Sequence, residues 1–483
     1  MKTVVGLFFL PSHQNIFEET KLRENRSHKS FFNLKIFLGI LCGGLSLLTS
    51  LPVSAAGVTL QLPSDYKSTH IISLGNASAF TFDFSIKGSA VSGENSFIIA
   101  ENLGNAYRVS KIAPDGTAKV LLDRTGQTIT NLSYHQGVVY IVTRGRIYKI
   151  AKGKISDIIT GLPTTGDYGN STIVFNNGSM YLATGTATNS GIVGADNTWL
   201  AANPSVRDIP CANSKLAGVN ITTDNFLTAK KDAKATTGSF LPFNTPVSAG
   251  QMVYGMSKCN GAVIKSTPDG VLTEVYAWGF HNPKGLSVDD NGNLWLFDGG
   301  MENRGVRPIK NGKDALFQVS QNAWYGWPDF SAASPVDQQV ILAEFPNNPP
   351  QPQAVFDLGL VKYLIISPKT FLTNSALAQV SDEKINRLEL SSKSLDDFLS
   401  VSGGKIIQYK FGPDDKLYVL VLAAKGKTEL YSIESTAPQT SGIIGSTQAK
   451  SSFNNWMFGA MLAIFASGGL FAIRNLKTPV KPF

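Results

Sequence analysis

Residues 135–143 read HQGVVYIVT and residues 176–185 read NNGSMYLATG. Each is a glycine turn, an apolar residue, an aromatic, then more apolar residues, and Tyr140 and Tyr181 stand 41 residues apart. The pattern returns as DNGNLWLFDG at 290–299 and PDDKLYVLV at 413–421, with ENSFIIAEN at 94–102 as a weaker copy. Ile98 to Tyr140 is 42 residues, and Trp295 to Tyr418 is 123, which reads as three steps of 41. The 114 residues from Tyr181 to Trp295 read as the same rhythm broken by an insertion. Between the copies lie strand-turn-strand segments: RVSKIAPDGTAKVLLD (108–123), RIYKIAKGKISDIIT (146–160) and AVIKSTPDGVLTEVY (262–276). Four short strands in about 41 residues is the period of a propeller blade. The expected fold is therefore all-β, a six-bladed β-propeller over 57–434. A pair of irregular β-sandwiches leaves the step of 41 unexplained. Two segments, 185–252 and 299–352, are too long for ordinary turns and are expected to build the binding mouth.

Charge points away from nucleic acid. The 483-residue chain carries a net +8, but residues 57–450 hold 34 Lys+Arg against 32 Asp+Glu. The excess flanks two hydrophobic stretches, as membrane targeting uses it, whereas nucleic-acid binding needs it on a folded face. Residues 1–56 carry six basic residues, then IFLGILCGGLSLLTSL and small residues, the layout of a secretory signal with a long basic start. An uncleaved anchor is the alternative. Residues 456–473, WMFGAMLAIFASGGLFAI, are uncharged and long enough to span a bilayer, with the alternative of a buried helix. The basic tail 474–483 places the C-terminus in the cytoplasm and the central domain on the periplasmic or extracellular side. Residues 435–455 read as a flexible tether. Cys42 leaves with the signal, so Cys211 and Cys259 remain, either a disulfide or two buried thiols.

Familiar catalytic motifs are missing: there is no GxSxG, no GxxxxGK[ST], no HExxH and no CxxCH. Only His70, His135 and His281 follow the signal. The pairs Asp289-Asp290 and Asp414-Asp415 sit in turn sequences, where Asp is simply a good turn residue.

GFHNPKGLSVDDNGNLWLFDGG (279–300), DALFQVSQNAWYGWPDFS (314–331) and DYGNSTIVFNNGSMYLATGTATNSG (167–191) resemble the glucose/sorbosone dehydrogenases. Those are six-bladed propellers that use pyrroloquinoline quinone and calcium. The resemblance implies oxidation of a sugar or alcohol, with electrons passed to a membrane acceptor. It places Asn282 at the quinone, with Lys284 as a possible cation and Trp324 and Trp327 as walls of the cup. It places Gly299, Gly300, the Tyr325 carbonyl and Asp314 near calcium. Where the family has its catalytic His, this chain has Tyr168; where it has Arg before Asn, this chain has His281. Catalysis would then fall to His281, or to Tyr168 with a lowered pKa. The alternatives are a non-catalytic propeller binding carbohydrate or protein at its cup, and a surface scaffold. FHNPKG also reads as a structural turn, and WYGWP as aromatic packing.

Overall fold

The computed structural model describes residues 57–436 apart from 85, 88–89, 92–94, 127, 170–171, 337–340 and 346–347. The signal segment, most of the tether and the 456–473 stretch lie outside the described residues. Among the described residues, no helix is long and apolar enough to cross a membrane.

The architecture is all-β and propeller-like, with one short 3-10 turn as the helical element among the described residues. Six sheets of four or five strands follow one another along the chain. Neighbouring strands are antiparallel, except that Ala323–Trp324 pairs parallel to Leu272–Trp278 at the edge of the third sheet, and one end strand of each sheet lies innermost. These inner strands are Ala77–Asp83, Ile129–His135, Ile173–Asn176, Asn282–Val288, Tyr363–Ile366 and Gly404–Phe411. The second strands are Ser96–Asn102, Val138–Thr143, Ser179–Thr184, Leu294–Gly299, Ser375–Gln379 and Leu417–Ala423.

The second strands explain the visible repeat. Successive side chains point to opposite faces of a strand. Tyr140 and Val142 pack toward the third sheet, with Met180 and Leu182, while Val139 and Ile141 pack toward the first, with Ile98 and Val109. A strand buried on both faces is written as a continuous apolar run. Six such apolar clusters fill the seams between consecutive sheets, including the seam that returns from the sixth to the first. The closing sheet mixes both ends of the described chain: Tyr66–Leu74 pairs with Thr428–Ser435. Ser435, expected to open the tether, thus ends a strand.

One spacing is corrected. Only one sheet separates Trp295 from Tyr418, so their 123 residues are two steps, not three. Leu377 occupies the intermediate position, 82 residues after Trp295 and 41 before Tyr418. The long first step comes from inserted chain around and after Lys313–Val319, a regular strand of the fourth sheet inside the 299–352 segment expected to build the binding mouth. The other insertion, 185–252, carries its own short strands and Cys211, which forms a disulfide with Cys259.

Candidate functional site

His281 and Tyr168 meet at the end of the channel where the fourth inner strand begins. Asp298, opposite Pro283 in the second strand, turns its carboxylate onto the amides of His281 (2.9 Å) and Asn282 (2.7 Å). The His281 carbonyl accepts from the Thr186 amide, and the Tyr168 amide donates to the Thr186 carbonyl. One backbone turn therefore holds both residues. Their rings stand 4.2 Å apart, edge to face. A Cβ at Gly185 would lie 2.8 Å from Tyr168, so the small residue there permits the approach.

The two side chains differ in what they can do. His281 is 2% exposed. Its Nδ1 lies 2.8 Å from the Gly299 carbonyl, an acceptor only, so Nδ1 carries the hydrogen. Burial pushes its pKa down to about 4, so the ring is neutral at pH 7. Nε2 is then a lone-pair acceptor, and it is buried without a hydrogen-bond partner. The Tyr168 hydroxyl accepts from Arg304 Nη2 at 2.8 Å. Burial raises its pKa well above the ordinary phenol value, the opposite of what a base requires. The cavity beside His281, lined also by Tyr325 and Trp327, has only about 10 Å³, room for roughly one water.

Arg304 was not singled out by the sequence. It sits in the inserted loop after Gly300, with no motif to mark it. It donates to Asp167 (2.7 Å), Asp196 (2.6 Å), Glu302 and Tyr168. Above this cluster opens a cavity of about 590 Å³ lined by Arg144, Asp167, Asp196, Trp199, Asn203 and Arg304. Trp199 Nε1 donates to Asp167 at 2.8 Å. Asp196 Oδ1 is buried and has no hydrogen-bond partner among the described residues.

The expected cofactor residues are placed as follows. Lys284 Nζ stands 3.6 Å from Asp314 and over the Phe297 ring. Trp324 and Trp327 are buried as core, Trp324 stacked on Phe345 and Trp327 edge-on to Phe240. The Tyr325 ring stacks on Phe280.

Calcium does not fit this arrangement. Asp314, fully buried, already accepts from the amides of Gly300 (2.8 Å) and Gly359 (2.9 Å), and Lys284 supplies the balancing charge. The Gly299 carbonyl is taken by His281. Among the described residues, no group of three or more His, Cys, Asp or Glu side chains is arranged to hold a metal. The expected set of Gly299, Gly300, Asp314 and Tyr325 is thus not a free oxygen cage of the kind calcium needs.

A tricarboxylate quinone fits poorly too. Around Tyr168 and His281, Arg144, Arg304 and Lys284 face five carboxylates, those of Asp167, Asp196, Asp298, Glu302 and Asp314. Arg304 and Lys284 are already paired with carboxylates, while Arg144 donates to the carbonyls of Thr164 and Gly166. Asp298 responds to this crowding: loss of water, with Asp314 close by, raises its pKa to about 7.

The family model for glucose/sorbosone dehydrogenase matches residues 252–431. Among solved structures, the quinone-bound aldose sugar dehydrogenase from Streptomyces coelicolor matches 77% of this chain and 100% of its own, at 13% identity and a TM-score of 0.43. The Pan2 WD40 domain of Neurospora crassa matches 77% of this chain and 96% of its own (8% identity, TM-score 0.35). The C-terminal WD40 domain of Sif2 matches 76% and 98% (9% identity, TM-score 0.31). No curated protein matches the chain.

Proposed function

We propose, with the glucose/sorbosone dehydrogenase match over residues 252–431 as premise, that this chain is a six-bladed propeller that binds a sugar in its cup. The count of six blades is supported by the six consecutive sheets and six apolar seams. The sugar seat is the 590 Å³ cavity above Tyr168, a size in the usual range for small-molecule sites. The observation that carries this reading is the cavity wall itself, where Asp196 and Arg304 meet the other polar side chains beside an indole. Arg144, Asp167 and Asn203 add fixed polar groups, and Trp199 adds the aromatic surface on which sugar C–H faces pack. Calorimetric titration with a panel of aldoses and polyols tests this. Saturable binding by the wild type, lost in Asp196→Ala, supports the seat; no binding across the panel removes it.

A second reading, quinone-dependent oxidation, is favoured by one observation, the unpartnered Nε2 of neutral His281. That atom would accept the proton of the sugar hydroxyl being oxidised, while Asn282 and Lys284 faced the quinone. The closed space beside the ring and the surplus of carboxylates weigh against it. Adding pyrroloquinoline quinone and calcium to the purified protein, then measuring dye reduction with each sugar, decides between the two.

We further place the propeller outside the cytoplasm, held by the 456–473 segment. The Cys211–Cys259 disulfide supports an oxidising compartment. Protease digestion of cells whose outer envelope has been removed but whose inner membrane is intact tests this; a propeller cut only after that membrane is lysed would refute it.

A further inference from the structure

The channel has a second mouth, at the end of the inner strands away from His281. Asn282 opens the fourth inner strand on the cup side, and Val288 closes it roughly 20 Å further on at about 3.3 Å per residue. There a cavity of about 420 Å³ is lined by residues from all six inner strands, with Phe82, Phe175 and Phe411 among its apolar walls. Lys410 is its notable polar group. The Lys410 ammonium donates to Asn131 Oδ1 at 2.8 Å and to the Leu132 carbonyl at 2.6 Å. Among the described residues, no carboxylate lies within ion-pair distance of it. The acids at the rim are committed elsewhere. Asp289 accepts from Asn291, Asn293 and Trp295, and Asp290 from the Lys369 amide. His135, stacked flat on Phe175 at 4.2 Å, lines the same space, and its Nε2 is buried without a partner.

We propose that this far mouth is a second ligand site, separate from the cup, for a small organic carboxylate with an apolar body. The argument is one of charge and shape. A partly buried cation lacking a counter-charge is disfavoured, and a carboxylate in the adjoining cavity would supply one. The volume is too large for a single inorganic ion and suits a molecule of drug-fragment size. The aromatic walls favour a ring or short alkyl body over a polyhydroxylated one. Loss of water around the ammonium also brings the Lys410 pKa down to about 7, so carboxylate binding should depend on pH near neutrality. The other titratable groups lining the cavity are Tyr134, His135, Asp289, Asp290 and Tyr363. Burial lowers the His135 pKa from its ordinary value.

The experiment is calorimetric titration of the full chain with benzoate, lactate and the uncharged ester methyl benzoate. Benzoate is expected to bind saturably, lactate more weakly, and the ester not measurably. Affinity for benzoate should fall about tenfold from pH 6 to pH 8 as the ammonium is lost. Lys410→Met should weaken binding at least tenfold, and Lys410→Arg should restore most of it. Absence of benzoate binding to the wild type, equal binding of the ester, or a pH-independent affinity would each overturn the proposal without recourse to any variant. Unchanged binding by folded Lys410→Met would overturn it as well.

Discussion

Arg304 is the residue on which the cup depends. It bonds three carboxylates and the Tyr168 hydroxyl from a single guanidinium, a geometry a lysine cannot copy. Arg304→Met leaves Asp167, Asp196 and Glu302 facing one another. We expect a loss of about 1–3 kcal/mol, reduced from the fully buried case by partial exposure, together with loss of sugar binding. Denaturant unfolding and calorimetry check the two parts. Asp208 provides a pH test. It is buried, accepts from the Ala187 amide and the Thr188 hydroxyl, and burial raises its pKa to about 7. A carboxyl whose folded pKa is raised stabilises fully below its unfolded value near 4, and that contribution is lost as pH rises toward 7. Asp208→Asn removes this dependence, so the variant should gain about 4 kcal/mol relative to wild type between pH 4 and pH 8. Thermal unfolding across that range reads it.

At the scale of elements, the inner strands are held at distances only glycine allows. A Cβ on Gly285 would lie 2.2 Å from the Leu364 carbonyl of the neighbouring inner strand. Gly285→Ala should therefore force the fourth and fifth sheets apart and cost about 2 kcal/mol or more, measured by denaturant unfolding. The second strands were readable from sequence because both faces are buried, which prints Tyr140, Tyr181, Trp295 and Tyr418 as apolar runs at a near-constant spacing. The fifth sheet was not seen, because its second strand, Ser375–Gln379, is SALAQ, with no aromatic and a polar residue at each end. The cup was only half legible. Tyr168, His281 and Asn282 stood in recognisable motifs, and the structure brings the first two together. Arg304, Asp196 and Trp199 come from inserted loops, where neither strand periodicity nor a motif marks a position. Trp324 and Trp327 were visible as a motif, but their burial depends on Phe345 and Phe240, distant in sequence.

For the whole molecule, closure is what makes six sheets one body. Tyr66–Leu74 supplies the outer strand of the last sheet, and Leu74 packs with Leu430 and Phe80 across the closing seam. Deleting residues 57–76 should leave that sheet with an open edge and abolish cooperative thermal unfolding, seen as a broadened transition and dye binding to exposed apolar surface. The channel that closure creates has two mouths of different chemistry, a polar cup rich in carboxylates and a far end with a cation and aromatic walls. The account rests most heavily on the first of these. A crystal structure of the protein soaked with an aldose that it binds tests it most directly. The account predicts sugar density in the cavity between Trp199 and Asp196, with hydroxyls hydrogen-bonded to the polar side chains of its wall. Sugar bound elsewhere, with that cavity holding only water, would contradict it.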